Sequence, residues 1–157
     1  MTRGSARPVT LYNGEMNKES KAYNAGFFDG EGCVYIRKTN AKGYKEGIRY
    51  DLVCSISQRR TEELYRLKED YGGCVSLYKS RSSNSSWGRW SVVCKDAVVF
   101  LNDIRPHARL KRNEIDLALK FQSTKGVSGK NITDKQKAYQ EEVYLALKQL
   151  KKLGGDI

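Results

Sequence analysis

Histidine is almost missing from this chain: His107 is the only one in 157 residues. The four cysteines, Cys33, Cys54, Cys74 and Cys94, fall about twenty residues apart and form no CxxC pair. Zinc sites draw on short-range ligand pairs, so a zinc site does not suit this pattern. Each cysteine reads instead as a reduced, half-buried thiol on a strand. No segment approaches the ~20 consecutive apolar residues of a membrane-spanning helix. The basic start, residues 1–10, has no apolar centre of the kind a secretory signal needs. Residues 1–16 read as a flexible basic tail and residues 17–157 as a single domain, with an intracellular location expected, in cytoplasm or an organellar matrix. Acidic charge is also scarce. Eighteen Asp and Glu face 29 Lys and Arg, for a net charge of +11. A domain this basic points to a polyanionic partner, nucleic acid first and an anionic membrane surface second. The membrane reading lacks a basic amphipathic helix with a large apolar face.

The pattern along the chain predicts an α+β domain. A helix is expected over 18–29, followed by a strand over 33–40, a glycine-punctuated hairpin loop over 41–47 and a second strand over 48–58. Thr61 is a candidate cap for a second helix that has Glu62 and Glu63 in its first turn and stops at Gly72 and Gly73. A third strand over 74–80, with Val75 and Leu77 facing inward, a serine-rich loop over 81–86 and a fourth strand from Trp87 or Arg89 to Cys94 complete a second hairpin. Asp96 is expected to cap a third helix that ends at Pro106. A fourth helix over 107–122, a linker over 123–131 and a fifth helix opened by a Thr133–Gln136 capping box finish the chain. The order α-ββ-α-ββ-α-α-α implies an antiparallel sheet with helices on one face and the other face open.

Strand residues alternate between faces. Alternation assigns Tyr35, Arg37 and Thr39, then Arg49, Asp51, Val53 and Ser55, to the open face. It adds Ser76, Tyr78 and Ser80 from the third strand and Arg89 and Ser91 from the fourth. A solvated face is usually richer in Glu, whereas an antiparallel ribbon carrying arginines and hydroxyls fits the DNA major groove. The expected DNA contacts are therefore these polar positions together with Arg81, with Lys38, Lys79, Arg81 and the serine loop supplying phosphate contacts.

The most informative run is Ala25-Gly26-Phe27-Phe28-Asp29-Gly30-Glu31-Gly32. Two glycines one turn apart near a helix end each cost about 1 kcal/mol relative to alanine, and close approach of another backbone would account for them. The run resembles the signature of the LAGLIDADG homing endonucleases, with Asn24 in its first, usually apolar, place. The likeness extends to Ser55-Ile56-Ser57-Gln58, Tyr71-Gly72-Gly73, Arg89-Trp90, Ile104-Arg105-Pro106 and Leu110-Lys111. It implies a saddle-shaped αββαββα sheet with additional C-terminal helices. It implies a homodimer packed through Ala22, Ala25, Gly26 and Gly30, because the motif occurs once in the chain. It further implies Mg²⁺ or Mn²⁺ bound by Glu31 and the Gly30 carbonyl, with Gln58 and Lys111 as the other catalytic residues. The activity implied is double-strand cleavage of a long pseudo-palindromic DNA site across the minor groove, leaving short 3′ overhangs. Asp29 is expected to cap or to line the interface rather than bind metal, and His107 to be structural. Glu62 stands where some members keep a basic residue. The alternative is an intron maturase binding RNA, or a non-cleaving DNA- or RNA-binding protein, on the same fold.

Overall fold

The computed structural model describes residues 16–125 and 132–155. Most of the tail expectation, residues 1–15, and most of the linker expectation, residues 126–131, lie outside the described residues. Met16, placed in the tail, is half-buried. Its sulfur accepts hydrogen bonds from the Asn24 amide at 3.5 Å and the Tyr71 hydroxyl at 3.4 Å.

The elements run α1 (Lys18–Glu31), β1 (Gly32–Asn40), β2 (Ile48–Gln58), α2 (Glu62–Tyr71), β3 (Cys74–Lys79), β4 (Ser86–Val93), α3 (Cys94–Ile104), α4 (Arg112–Thr124) and α5 (Asp134–Gly155). All four strands pair antiparallel in the order β1-β2-β4-β3. Each hairpin thus contributes one central and one outer strand. Among the described residues no helix is long and apolar enough to cross a membrane.

The core lies between the helices and one face of the sheet. Val34, Ile36, Leu52, Cys54, Ile56, Trp90 and Val92 project into it at every second position. Trp90, Phe100 and Tyr71 form an edge-on cluster with ring centroids 5.0 Å apart for Trp90–Phe100 and for Tyr71–Phe100. Burying each large apolar side chain contributes about 1.5–3 kcal/mol, and Trp90 also donates its indole N–H to the Gly72 carbonyl at 2.9 Å. Gly32 makes the turn from α1 into β1 possible, since a Cβ there would meet the Phe28 ring at 2.2 Å.

Several expectations need correction. Leu77 is 65 % exposed, because β3 is an outer strand and the helices do not cover it. Lys38 lies on the helix side, where its ammonium and the Tyr50 hydroxyl both meet Glu141 of α5, so it does not serve the open face. Cys94 is not a strand residue: α3 begins there, with Cys94 at φ 51°, and Asp96 falls in the first turn instead of capping. Thr61 makes no side-chain cap. The fourth helix starts at Arg112 rather than at residue 107. The capping box at Thr133 and Gln136 forms in both directions, at 3.1 and 2.9 Å.

Candidate active site and nucleic-acid interface

Glu31 ends α1, and its side chain is exposed. Among the described residues no hydrogen bond or ion pair engages its carboxylate. Asp29, two residues earlier, is fully occupied. Its carboxylate accepts the backbone N–H groups of Arg109 at 2.7 Å, Leu110 at 3.2 Å and Lys111 at 3.1 Å. This ties the segment before α4 to the foot of α1 and explains why α4 starts late: those N–H groups find a partner eighty residues away in sequence instead of a helical turn. Asp29 thereby caps the backbone donors of the segment leading into α4, one of the two roles expected of it. The Lys111 ammonium donates to the Asp29 carbonyl at 2.5 Å, which puts a cation at the negative end of the α1 dipole.

The β1–β2 ladder brings in Gln58. Gly32 faces Ile56, so Gln58 lies beyond that pair, beside the end of α1. Its Oε1 accepts the Arg59 N–H at 2.8 Å, and among the described residues its amide donors have no hydrogen-bond partner. Glu31, Gly30, Lys111 and Gln58 therefore gather at one end of the sheet. Among the described residues no three His, Cys, Asp or Glu side chains cluster as a metal site. One protomer offers a single carboxylate there. A Mg²⁺ site that uses one or two carboxylates together with substrate phosphates fits such a donor set. The Gly30 carbonyl is a second oxygen donor, since carbonyls in the last turn of a helix have no intrahelical N–H to accept from.

On the exposed side of α1, Ala22, Gly26 and Gly30 recur every fourth residue. Among the described residues, and apart from the helix's own backbone, no atom lies within 4 Å of where a Cβ would stand at Gly26 or Gly30. Beside this stripe, Tyr23 is 57 % exposed. Ala25, expected to belong to the interface, faces the other way and is fully buried in the protomer core with Phe28.

The open face carries Tyr35, Arg37 and Thr39 from β1, Arg49 from β2, Ser76 and Tyr78 from β3, and Arg89 and Ser91 from β4. Arg37, Ser76, Tyr78 and the loop residue Arg81 are exposed. Ser80 lies just past β3, where its N–H meets the Ser85 carbonyl at 3.0 Å and closes the loop. Two positions depart from direct contact. Ser55, paired with Cys33 and Ser91, is buried. Asp51 is 2 % exposed and is surrounded by Arg37, Arg49 and Lys125. Burial pushes the Asp51 carboxyl up, but hydrogen bonds and charge from Lys125 and Arg49 outweigh it and hold the group below its ordinary value.

Sequence reasoning missed four contributors to this face. Trp87 stacks on Tyr78 at 4.3 Å, and the Arg89 guanidinium lies over both rings, 5.5 and 5.8 Å from their centroids. Counting back by two from Arg89 would have placed Trp87 there. Ser57 accepts from Arg89 at 3.2 Å. Lys125, at the end of α4, and Lys151, whose ammonium sits 2.8 Å from the Cys33 sulfur and 5.0 Å from the Tyr35 ring centroid, arrive from distant helices with no local signal.

An antiparallel four-stranded sheet with helices behind it, an arginine-bearing open face and an acid at the foot of a glycine-striped helix define an α+β class with a basic open sheet face. The sequence model of the LAGLIDADG endonucleases matches residues 25–107, more than half of the chain, and the protein belongs to that family. The fold is correspondingly similar to known structures. The homing endonuclease I-CvuI in complex with its target aligns with a TM-score of 0.65 at 19% identity, over 85% of this chain and 82% of that one. The archaeal intron-encoded homing endonuclease I-Vdi141I complexed with DNA gives 0.68 at 18%, over 83% of each. The homing endonuclease I-TnaI gives 0.65 at 19%, over 88% and 95%. At these identities the likeness is one of fold. No curated protein matches the sequence.

Proposed function

We propose that two copies of this chain pack through α1 and cut both strands of a long pseudo-palindromic DNA site, leaving short 3′ overhangs. The observation that carries this reading is the pairing of a bare small-residue stripe with an unengaged carboxylate at the foot of one helix. Gly26 and Gly30 weaken α1 by about 1 kcal/mol each relative to alanine, and among the described residues nothing beyond the helix's own backbone comes within 4 Å of their Cβ positions. A second α1 laid along Ala22, Gly26 and Gly30 gives the glycines a use and brings two Glu31 carboxylates together at the two-fold axis.

Two carboxylates held close repel unless a cation neutralises them. Glu31 and the Gly30 carbonyl would hold Mg²⁺ or Mn²⁺. When bound, such an ion lowers the pKa of a water and stabilises charge on a leaving oxygen. Structures of the related I-CvuI on DNA were obtained with calcium or with magnesium, in line with a divalent ion here. Lys111, steadied by the Asp29 carbonyl, offers positive charge to the phosphoryl group at the same end of the sheet. Gln58 orients water through its amide donors. Tyr35, Arg37, Thr39, Arg49, Ser76, Tyr78, Arg89 and Ser91 face the major groove, while Lys79, Ser80 and Arg81 hold the backbone. Phosphate contacts of this kind give salt-sensitive affinity.

Selection of cleaved sites from a randomised duplex library with Mg²⁺ tests the reading. The expected result is one enriched site with two-fold symmetric half-sites and short 3′ ends. Tight binding of a selected duplex with no cleavage in Mg²⁺ or Mn²⁺ would contradict it and place the chain with the non-cleaving or RNA-binding members of the fold.

A further inference from the structure

Asp51 is the only acid expected on the open face, yet it cannot touch a base. Its side chain is 3 % exposed, and both of its oxygens are taken by protein cations. Oδ1 receives the Lys125 ammonium at 3.1 Å, and the Cys94 thiol lies 3.7 Å away. The same ammonium also donates to the Tyr50 carbonyl at 2.8 Å, so Lys125 pins Asp51 to β2 from the α4 side. Oδ2 faces the other way and is shared by two guanidiniums, Arg49 at 2.7 Å and Arg37 at 3.6 Å. Arg37 sits directly across the ladder from Asp51, and Arg49 is two residues along β2. A second contact fixes Arg49, whose guanidinium lies 5.7 Å from the centroid of the Tyr44 ring.

We infer that Asp51 is a positioning residue for DNA readout, holding Arg37 and Arg49 side by side as a rigid pair of forks for guanine. The inference rests on the open face binding DNA. Two neighbouring guanidiniums repel and would splay apart without the carboxylate between them. Tied to one oxygen, they remain 47% and 42% exposed by side chain, with donor edges left over for a ligand. Arginine presents five donors in a fixed plane and pairs bidentately with the O6 and N7 of guanine in the major groove. Two forks that share one carboxylate oxygen lie close enough to serve neighbouring base pairs, which rise about 3.4 Å along the duplex. The cluster of one acid and three bases keeps positive charge at its outer surface.

The test is a binding selection from a randomised duplex library with the full chain as wild type, Asp51→Asn, Arg37→Met and Arg49→Met, each also melted to score its fold. Wild type is expected to select guanine at one or two adjacent positions in each half-site. Arg37→Met and Arg49→Met each lose that preference, and Asp51→Asn weakens it roughly tenfold at the same positions while sparing the rest of the site. An Asp51→Asn profile identical to wild type, with only the melting temperature lowered, would overturn the inference and leave Asp51 as a structural ion pair. If Asp51→Asn does not fold, Arg49→Lys replaces it: retained charge with lost guanine preference supports the fork geometry, and an unchanged profile overturns it. Failure of wild type to select any site would instead overturn the DNA-binding reading itself.

Discussion

Asn24 opens the family motif in a place usually apolar, and it is fully buried. Its carbonyl accepts the Arg66 guanidinium at 2.7 Å and its amide donates to Met16. Arg66 in turn pairs with Glu63 and Asp70. The departure is therefore part of a network joining α1 to α2, with the polar atoms satisfied. Asn24→Leu is expected to destabilise the protein by roughly 1–3 kcal/mol, because the part-buried Arg66 guanidinium loses one of its three acceptors while keeping Glu63 and Asp70. An unchanged urea midpoint would show that the network contributes nothing. At this scale the position of Glu31 at the end of α1 was legible in the sequence because its motif is local. The role of Asp51 was not: its partners come from β1, β2 and α4, and alternation reports only which face a residue takes, not what covers it. Alternation also holds for Ser55, which points to the open face as expected and is buried there by packing that no single strand encodes.

At the scale of elements, α1 and the two hairpins follow from capping residues, glycine punctuation and period-two patterning. The boundaries that shifted are those set by tertiary partners. Asp29 satisfies the N–H groups before α4, and β3 is left uncovered as an outer strand. The stripe on α1 makes a prediction with two readouts. Gly26→Ala has open space for its methyl group, so the protomer is expected to gain about 0.4–1 kcal/mol in a urea melt. Gly26→Leu is expected to shift the protein toward monomer in sedimentation, because a bulky side chain keeps a second helix away. A dimer as tight as wild type would remove α1 from the interface.

The docking of α5 depends on pH in a defined direction. Glu141 meets Lys38 and Tyr50 on the helix side of the sheet. The Tyr50 hydrogen bond is the main influence holding the Glu141 carboxyl below its ordinary value of 4.5, with Lys38 adding to it against burial. Burial first, then Glu141, pushes the Tyr50 hydroxyl up to about 12. A depressed carboxylate stabilises the fold fully above its unfolded pKa, and that stability is lost as pH falls through the folded value. The contribution of Glu141 is thus present above about pH 4.5 and declines below it. Glu141→Gln is expected to melt at a lower temperature than wild type at neutral pH and to converge with it in acid. Parallel curves over the whole range would refute that linkage.

The whole molecule joins a basic open sheet, a helix with an exposed stripe of small residues that we propose meets its own copy, and an acid at the foot of that helix. The fold could be read from the sequence because the element order and the motif agree. The proposed composite site could be read only as far as one chain extends. The central claim is that Glu31 serves hydrolysis and not DNA affinity, since it stands outside the arginine-bearing face and its carboxylate makes no hydrogen bond or ion pair among the described residues. The decisive measurement compares Glu31→Gln with wild type on a selected site, scoring duplex binding and single-turnover cleavage in Mg²⁺ side by side. The account predicts retained binding with cleavage abolished. Cutting at the wild-type rate by Glu31→Gln would contradict it.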